Sequence, residues 1–210
     1  MTKVNTISFT PAVGWGLRDN THMKKSYFKG GTTPPLTEET IGTCFQRTAS
    51  RFPDRDALIV RHQGIHWSWA EYDEQVERLA AGLLALGIEP GDRVGIWAPN
   101  CYEWCLTQFA TARIGVVLVC INPAYRVFEL EYALNTSGCR AIVAAEQFKS
   151  SHYLEMLQSL APELESCAPG RLAAKKLPHL EIVIRMGDQS TPGMFNFPAV
   201  LDLGGEDERE

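Results

Sequence analysis

The chain has 210 residues, of which 45% are hydrophobic and 21% are charged, a composition typical of a globular domain with a sizeable core. Its formal net charge of -5 argues against a nucleic-acid partner, which would require a basic face. No apolar run approaches the roughly 18 residues of a membrane-spanning helix, so we expect no transmembrane segment.

Up to residue 36 the sequence shows no pattern typical of a helix or a strand, because glycines and prolines interrupt every hydrophobic period. It also lacks the apolar stretch of a secretion signal. Residues 1–25 contain a single acidic residue, Asp19. Because mitochondrial leaders are poor in acidic residues, a mitochondrial-matrix location is the alternative to a cytoplasmic one. We expect an irregular lead over residues 1–36, an α/β subdomain over residues 37–205 and an acidic tail over residues 206–210.

The subdomain is predicted to begin with a helix and a hairpin. Pro53 is predicted to end the helix. The residues spaced to lie on one face of the helix are Ile41, Cys44, Phe45, Thr48 and Phe52. Two short strands, residues 57–61 and 66–68, are predicted on either side of Gln63-Gly64 and form a β-hairpin.

The next helix carries the clearest signals in the sequence. Ser68 and Glu71 have the spacing of a capping box, and Gly87 is placed to end the helix in a left-handed conformation. Apolar residues repeat between them at helical spacing. Residues 89–92 (EPGD) are typical of a type II turn and lead into a strand over residues 93–98.

The alternation of capped helices and apolar strands then continues. Asn100 and Glu103 are predicted to cap a helix that runs to Arg113 and ends at Gly115. Further strands are predicted at residues 116–121, 141–145 and 181–185, and further helices at residues 127–135 and 153–160. Because these strands are apolar throughout, we expect an α/β fold with a largely parallel sheet covered by helices on both faces, in addition to the hairpin. The pattern fades after Met186.

Cysteine and histidine residues show no convincing metal site. Cys44, Cys105 and Cys120 occupy contexts typical of small buried hydrophobes. Cys101 and Cys105 are one helical turn apart, but no second pair follows at the spacing of a zinc site. His62 and His66 straddle the predicted turn, where their spacing does not bring two imidazoles together. The cysteines indicate a reducing compartment.

Phosphate-binding and nucleophile motifs are missing as well. The sequence contains neither of the phosphate-binding motifs GxGxxG and GxxxxGK[ST]. It also lacks the GxSxG motif of a nucleophilic serine, although a Ser-His-Asp triad from distant parts of the chain is still an alternative. Residues 30–33 (GGTT) precede two prolines, and residues 136–138 (TSG) stand where a helix needs its C-cap. Glu71 and Glu103 are interpreted as caps. The residues alone therefore predict an α/β domain with no visible active site.

Several segments, taken in order, resemble one enzyme superfamily. The segments are residues 67–72 (WSWAEY), 86–95 (LGIEPGDRVG), 98–100 (APN), 110–115 (ATARIG), 121–126 (INPAYR), 129–132 (ELEY), 137–139 (SGC) and 147–149 (QFK). Their order and spacing resemble the adenylate-forming, or AMP-binding, enzymes over about residues 26–205. Within that superfamily they are similar to the fatty-acid–CoA ligases of the medium-chain type.

The resemblance implies a reaction for the full-length family. A fatty carboxylate attacks the α-phosphate of ATP to give an acyl-adenylate and pyrophosphate, and the CoA thiol then displaces AMP. In the family the phosphates and Mg²⁺ are held by a Thr/Ser/Gly-rich loop ending in lysine and by later acidic and basic residues, and none of these motifs occurs in the present sequence. We therefore assign no catalytic, cofactor-binding or metal-binding residue and expect this chain to be an incomplete N-terminal subdomain, inactive alone, that does not bind ATP, CoA or Mg²⁺ tightly.

Two interpretations follow. In the first, the chain is the front part of such a ligase, with Asn122, Pro123 and Tyr125 as the nearest candidates for the wall of a substrate or CoA channel. A purely structural role of these three residues, as a strand end and helix start, is the simpler alternative. In the second, the chain is a freestanding, non-catalytic α/β module. The apolar strand at residues 116–121 predicts self-association if no neighbour covers it.

Overall fold

A computed structural model of the protein describes residues 30–31, 33 and 35–205. The chain divides into a leading unit, Met1–Glu38, and a second unit, Glu39–Glu210, which contains the helices and strands of the described residues. Most of the predicted irregular lead, including the possible mitochondrial leader, and the predicted acidic tail lie outside the described residues. Within the described part of the chain, no helix combines the length and apolar character needed to cross a membrane.

Between residues 39 and 205, six α-helices and nine strands follow one another along the chain. The helices are α1 Ile41–Arg51, α2 Trp69–Ala85, α3 Tyr102–Arg113, α4 Val127–Ser137, α5 Tyr153–Leu160 and α6 Phe197–Leu201. The strands are β1 Asp56–Val60, β2 Ile65–Ser68, β3 Arg93–Trp97, β4 Val117–Cys120, β5 Ala141–Ala144, β6 Gln147–Phe148, β7 Ser151–His152, β8 Ile182–Arg185 and β9 Phe195–Asn196.

The main sheet has five strands in the order β4-β3-β5-β8-β9, and every neighbouring pair is parallel. This confirms the predicted parallel sheet, and the antiparallel pair β1-β2 confirms the predicted hairpin. The chain passes from β3 to β4 on one side and then crosses back to β5 on the other side of β3. The strand order therefore reverses between β3 and β5, and parallel sheets bind ligands at such a point, beyond the carboxyl ends of the strands.

Helices cover both faces of the sheet, as the apolar strands predicted. Side chains alternate between faces along a strand, so Val94 and Ile96 of β3 join a core with α1, α2, α3 and α6. Trp97 joins the opposite core, to which α4 and α5 contribute. Strands with two buried faces favour apolar residues throughout. All four residues of β5 are apolar and buried, and so are the first three residues of β8, which ends in the buried Arg185.

The turns and caps predicted around α2 and α4 are confirmed. The Ser68 hydroxyl accepts a hydrogen bond from the Glu71 N–H, and the Glu71 carboxylate accepts one from the Ser68 N–H. Gly91 has a φ of 89° in the turn that leads into β3, and Gly138 has a φ of 63° at the end of α4. The segment 136–138 is thus a helix terminus and not a phosphate loop.

The predicted cap of α3 is wrong. The N-cap residue is Cys101 rather than Asn100, and it makes no side-chain capping bond. The hairpin supplies the cap instead: Gln63 Oε1 accepts a hydrogen bond from the Tyr102 N–H at 2.8 Å. Gln63 Nε2 also donates to the carboxylate of Glu103, which is only 6% exposed. Gln63 therefore provides the capping bond that was predicted for Asn100 and Glu103, and Glu103 contributes by holding the Gln63 amide.

The predicted buried face of α1 is offset from the observed one. Ile41 and Cys44 are exposed, and the buried residues are Gly42, Phe45 and Ala49. Gly42 allows α1 to approach α3 closely, because a Cβ there would lie 3.0 Å from the carbonyl oxygen of Ala112. The face of α1 that contains Gly42 is therefore the one that packs against α3.

The predicted burial of the cysteines is also partly wrong. Cys44 and Cys120 are exposed and Cys105 is half-buried, whereas Cys101 and Cys139 are buried. Cys120 is exposed because β4 is an edge strand of the main sheet, where Val117 is also 51% exposed. The uniformly apolar sequence of β4 had indicated a fully covered strand.

Candidate functional site

The loops that follow β3, β4 and β5 surround a crevice beside the point where the strand order reverses. The crevice has a volume of about 490 Å³. It is lined by six residues: Pro99, Asn100, Asn122, Pro123, Ala124 and Phe148. None of these side chains is ionisable, so the wall combines apolar surface with two neutral amides. We refer to this feature as the switch-point crevice.

The loop of residues 122–126 forms one wall of the crevice. Asn122 Oδ1 accepts a hydrogen bond from the Ala124 N–H at 2.9 Å, and the Asn122 carbonyl accepts one from the Tyr125 N–H at 3.0 Å. These bonds turn the chain sharply from β4 into α4. At the start of α4 the Glu129 carboxylate accepts from the Arg126 N–H at 3.0 Å, which fixes the helix end of the loop.

The three candidate wall residues separate in the structure. Asn122 and Pro123 line the switch-point crevice, whereas Tyr125 lies in a different groove, on the outer side of α4. That groove contains Phe128 and Tyr132, which are 78% and 68% exposed. The loop thus brings two of the three predicted residues to one site and directs the third away from it.

Two buried aromatic residues support the loop from beneath. The rings of Trp97, the last residue of β3, and Tyr153, the first of α5, stack with centroids 3.7 Å apart and planes 14° from parallel. Trp97 Nε1 donates to the Asn122 carbonyl at 3.1 Å, and the Tyr153 hydroxyl donates to the Pro123 carbonyl at 2.6 Å. Burial raises the pKa of the Tyr153 phenol, which keeps its proton available for this bond. The sequence placed these residues in a strand and at a helix start but gave no signal that they meet.

A buried arginine lies at the carboxyl end of β8, beside a separate cavity of about 210 Å³. Arg185 is 4% exposed, and its guanidinium donates to the Glu146 carboxylate, to Gln189 Oε1, to the Thr191 hydroxyl and to the Met186 carbonyl. These partners engage each of its three nitrogen atoms. Arg185 therefore holds the loop after β8 in place rather than presenting a free cation to an anionic ligand.

The described residues do not provide a fitting site for Mg²⁺ and ATP phosphates. Between residues 35 and 205, no group of three or more His, Cys, Asp or Glu side chains could hold a metal ion. His66 pairs with Asp56 across the hairpin at 2.9 Å. Burial raises the pKa of the Cys101 thiol to about 12, so the thiol keeps its proton at neutral pH.

The sequence and the fold have counterparts among known proteins. The profile of the family described as AMP-binding enzyme matches residues 45–192. The chain belongs to the AMP-binding enzyme family. This confirms the resemblance to the adenylate-forming enzymes that the motifs indicated.

Curated relatives of this family member are mitochondrial medium-chain acyl-CoA ligases named ACSF2. The protein from Danio rerio is 45% identical over 179 residues, which are 85% of this chain and 29% of the relative. The protein from Rattus norvegicus is 44% identical over 183 residues, which are 87% of this chain and 30% of the relative. The chain thus spans about three-tenths of the length of these relatives.

Solved structures share the fold of this AMP-binding chain. A long-chain-fatty-acid-CoA ligase from Archaeoglobus fulgidus is 24% identical, with a TM-score of 0.63; the match covers 81% of this chain and 31% of the ligase chain. The N-terminal domain of FACL13 from Mycobacterium tuberculosis is 22% identical, with a TM-score of 0.62; the match covers 81% of this chain and 38% of the FACL13 chain. At these identities the likeness establishes the fold alone.

Proposed function

We propose that this chain is the front section of an ATP-dependent fatty-acid–CoA ligase. The complete enzyme would join a fatty carboxylate to AMP, release pyrophosphate and then transfer the acyl group to the thiol of CoA. The observation that carries the proposal is the family match over residues 45–192, together with the identity of 45% to a medium-chain acyl-CoA ligase.

The switch-point crevice is the part of this machinery that the chain itself supplies. Its lining has no charged side chain, and a phosphate or carboxylate would find no cation there. Asn100 and Asn122 can exchange hydrogen bonds with a neutral polar group, while Pro99, Pro123 and Phe148 offer apolar contact. These properties suit an uncharged stretch of the fatty acid or of CoA. We therefore propose that the crevice forms a wall of the substrate or CoA channel.

Activation of a carboxylate by ATP also requires donors and a cation around the triphosphate, and the described residues do not fit that requirement. We propose that the remainder of a longer protein supplies them and that this chain alone turns over no substrate. The proposal that ATP, CoA and Mg²⁺ do not bind this chain tightly follows from the same reasoning. The names of the relatives favour the mitochondrial matrix over the cytoplasm as its location.

A chimeric enzyme tests the proposed function. The section of the Danio rerio ligase that matches this chain is replaced by the corresponding residues of this chain, and acyl-CoA formation is measured with a medium-chain fatty acid, ATP and CoA. We expect the chimera to form acyl-CoA in an ATP-dependent reaction. A chimera that folds cooperatively but forms no acyl-CoA would contradict the proposal.

Two substitutions in the chimera test the role of the crevice. Asn122→Asp keeps the oxygen that accepts from the Ala124 N–H but introduces a negative charge into the neutral wall. We expect it to raise the KM for the fatty acid or for CoA. Gln46→Glu, the same change at an exposed position on α1, is the control and should leave both KM values unchanged. Equal effects of the two variants would argue against a substrate at the crevice.

A further inference from the structure

Trp97 and Tyr153 share a property that simple core packing does not require. Both side chains are 0% exposed, and neither lines the switch-point crevice. Each nevertheless carries a polar group, and the two groups donate to consecutive carbonyls of the crevice wall, those of Asn122 and Pro123. Phenylalanine would bury a ring of the same size at position 153, and an apolar side chain would fill position 97, without a donor that needs a partner.

The stack fixes the two donors relative to each other. The parallel rings, 3.7 Å apart, belong to the end of β3 and the start of α5, which are separate elements of the fold. A buried donor without an acceptor is costly, so the indole N–H and the phenol O–H both favour the loop conformation that turns the two carbonyls inward. In that conformation the side chains of Asn122, Pro123 and Ala124 line the crevice.

We propose that Trp97 and Tyr153 are positioning residues that set the conformation of the loop of residues 122–126 and thereby the shape of the crevice wall. The consequence for substrate binding rests on the proposed function, whereas the consequence for the loop does not. Both residues act through the loop, because the crevice lining does not include them.

Hydrogen exchange of the 210-residue chain tests the effect on the loop. Tyr153→Phe keeps the ring stack and removes only the hydroxyl that reaches Pro123. We expect the backbone amides of Ala124 and Tyr125 to exchange about fivefold faster, the ratio that corresponds to one ordinary hydrogen bond. Trp97→Phe removes the donor to Asn122 and also part of the stacked ring, so it should accelerate exchange at least as much. The rates are read at individual amides by NMR.

Two control variants separate positioning from general stability. Tyr132→Phe removes a hydroxyl from an exposed ring on α4 and should not change the exchange of the loop. Leu157→Val removes one buried methylene from α5 without removing a donor to the loop, and the Ala124 and Tyr125 amides should keep their wild-type rates. Unchanged rates in Tyr153→Phe, or equal acceleration in Leu157→Val, would overturn the positioning role.

The chimeric enzyme gives the functional readout. We expect Tyr153→Phe and Trp97→Phe to raise the KM for the fatty acid or for CoA about fivefold, in proportion to the lost loop protection, and to leave the KM for ATP unchanged. A change confined to kcat or to the KM for ATP would contradict the proposal. If the unsubstituted chimera forms no acyl-CoA, the proposed function fails, while the exchange rates still decide whether the two residues position the loop.

Discussion

Gln63 caps a helix that begins 39 residues later in the chain: its Oε1 accepts the Tyr102 N–H at 2.8 Å. The same side chain donates through Nε2 to Glu103 at 2.8 Å, so one amide satisfies a free backbone donor and a buried carboxylate together. The hairpin and α3 are thereby joined by a polar contact in a largely apolar core.

We predict that Gln63→Ala destabilises the protein by about 1–3 kcal/mol, because it leaves the Tyr102 N–H and the Glu103 carboxylate without this partner. The free energy of unfolding is measured in urea. His62→Ala, at the neighbouring exposed position, is the control and should have an effect within about 0.5 kcal/mol. Similar losses in the two variants would show that the contact contributes little.

Replacement of a helical glycine by alanine usually stabilises a helix by about 1 kcal/mol. We predict the opposite sign for Gly82→Ala, because a Cβ at this position in α2 would lie 1.9 Å from the carbonyl oxygen of Val200. The backbone of α6 must then move, at a cost of about 1–3 kcal/mol. Urea unfolding reports the sign directly. Glu74→Ala and Glu74→Gly, at an exposed interior position of the same helix, together measure the intrinsic preference alone. A stabilised Gly82→Ala would contradict the close packing.

Thiol accessibility checks the corrected burial of the cysteines. Cys44 and Cys120 are exposed and should react with iodoacetamide in the folded protein. Cys101 and Cys139 are buried, and burial raises the pKa of both thiols, so they should react only after unfolding. Mass spectrometry of peptides before and after denaturation distinguishes the two groups. Rapid native labelling of Cys139 would be inconsistent with the packing of α4 against the sheet.

Asp92 should contribute to acid denaturation. Burial acts to raise the pKa of this carboxyl, but the Glu89 N–H and the Arg140 guanidinium together lower it below its ordinary value. A lowered pKa in the folded state means that the ionised form stabilises the protein above the ordinary carboxyl pKa of about 4. This stabilisation is lost as the pH falls through the lowered value.

We therefore predict that Asp92→Asn lowers the free energy of unfolding at pH 7 and that the difference from wild type shrinks as the pH falls below about 4. Urea titrations between pH 3 and pH 7 measure this difference. Asp54→Asn, at an exposed position before the hairpin, serves as the comparison. A difference that stays constant with pH would mean that the effect of Asp92 is not electrostatic.

Much of the fold could be predicted because its signals are local. The capping box at Ser68 and Glu71 and the positive φ angles at Gly91 and Gly138 depend on residues within a few positions of one another. The parallel sheet followed from strands without a polar face. The short strand β9 and helix α6 were missed, because two and five residues are too few to show a hydrophobic period.

The features that the sequence did not reveal depend on contacts between distant segments. Gln63 caps α3 across the hairpin, and no spacing rule connects it with Tyr102. The buried face of α1 is the one on which Gly42 allows a close contact with α3. For the candidate site, the sequence singled out Asn122 and Pro123, but the residues that hold them, Trp97 and Tyr153, meet only when β3 and α5 are packed together.

The most direct test of the account is fatty-acid-dependent exchange of labelled pyrophosphate into ATP, measured on the 210-residue chain and on the chimera under identical conditions. The account predicts exchange by the chimera and none above background by the chain alone, because the described residues hold no fitting site for Mg²⁺ and the ATP phosphates. Exchange catalysed by the isolated chain would contradict it.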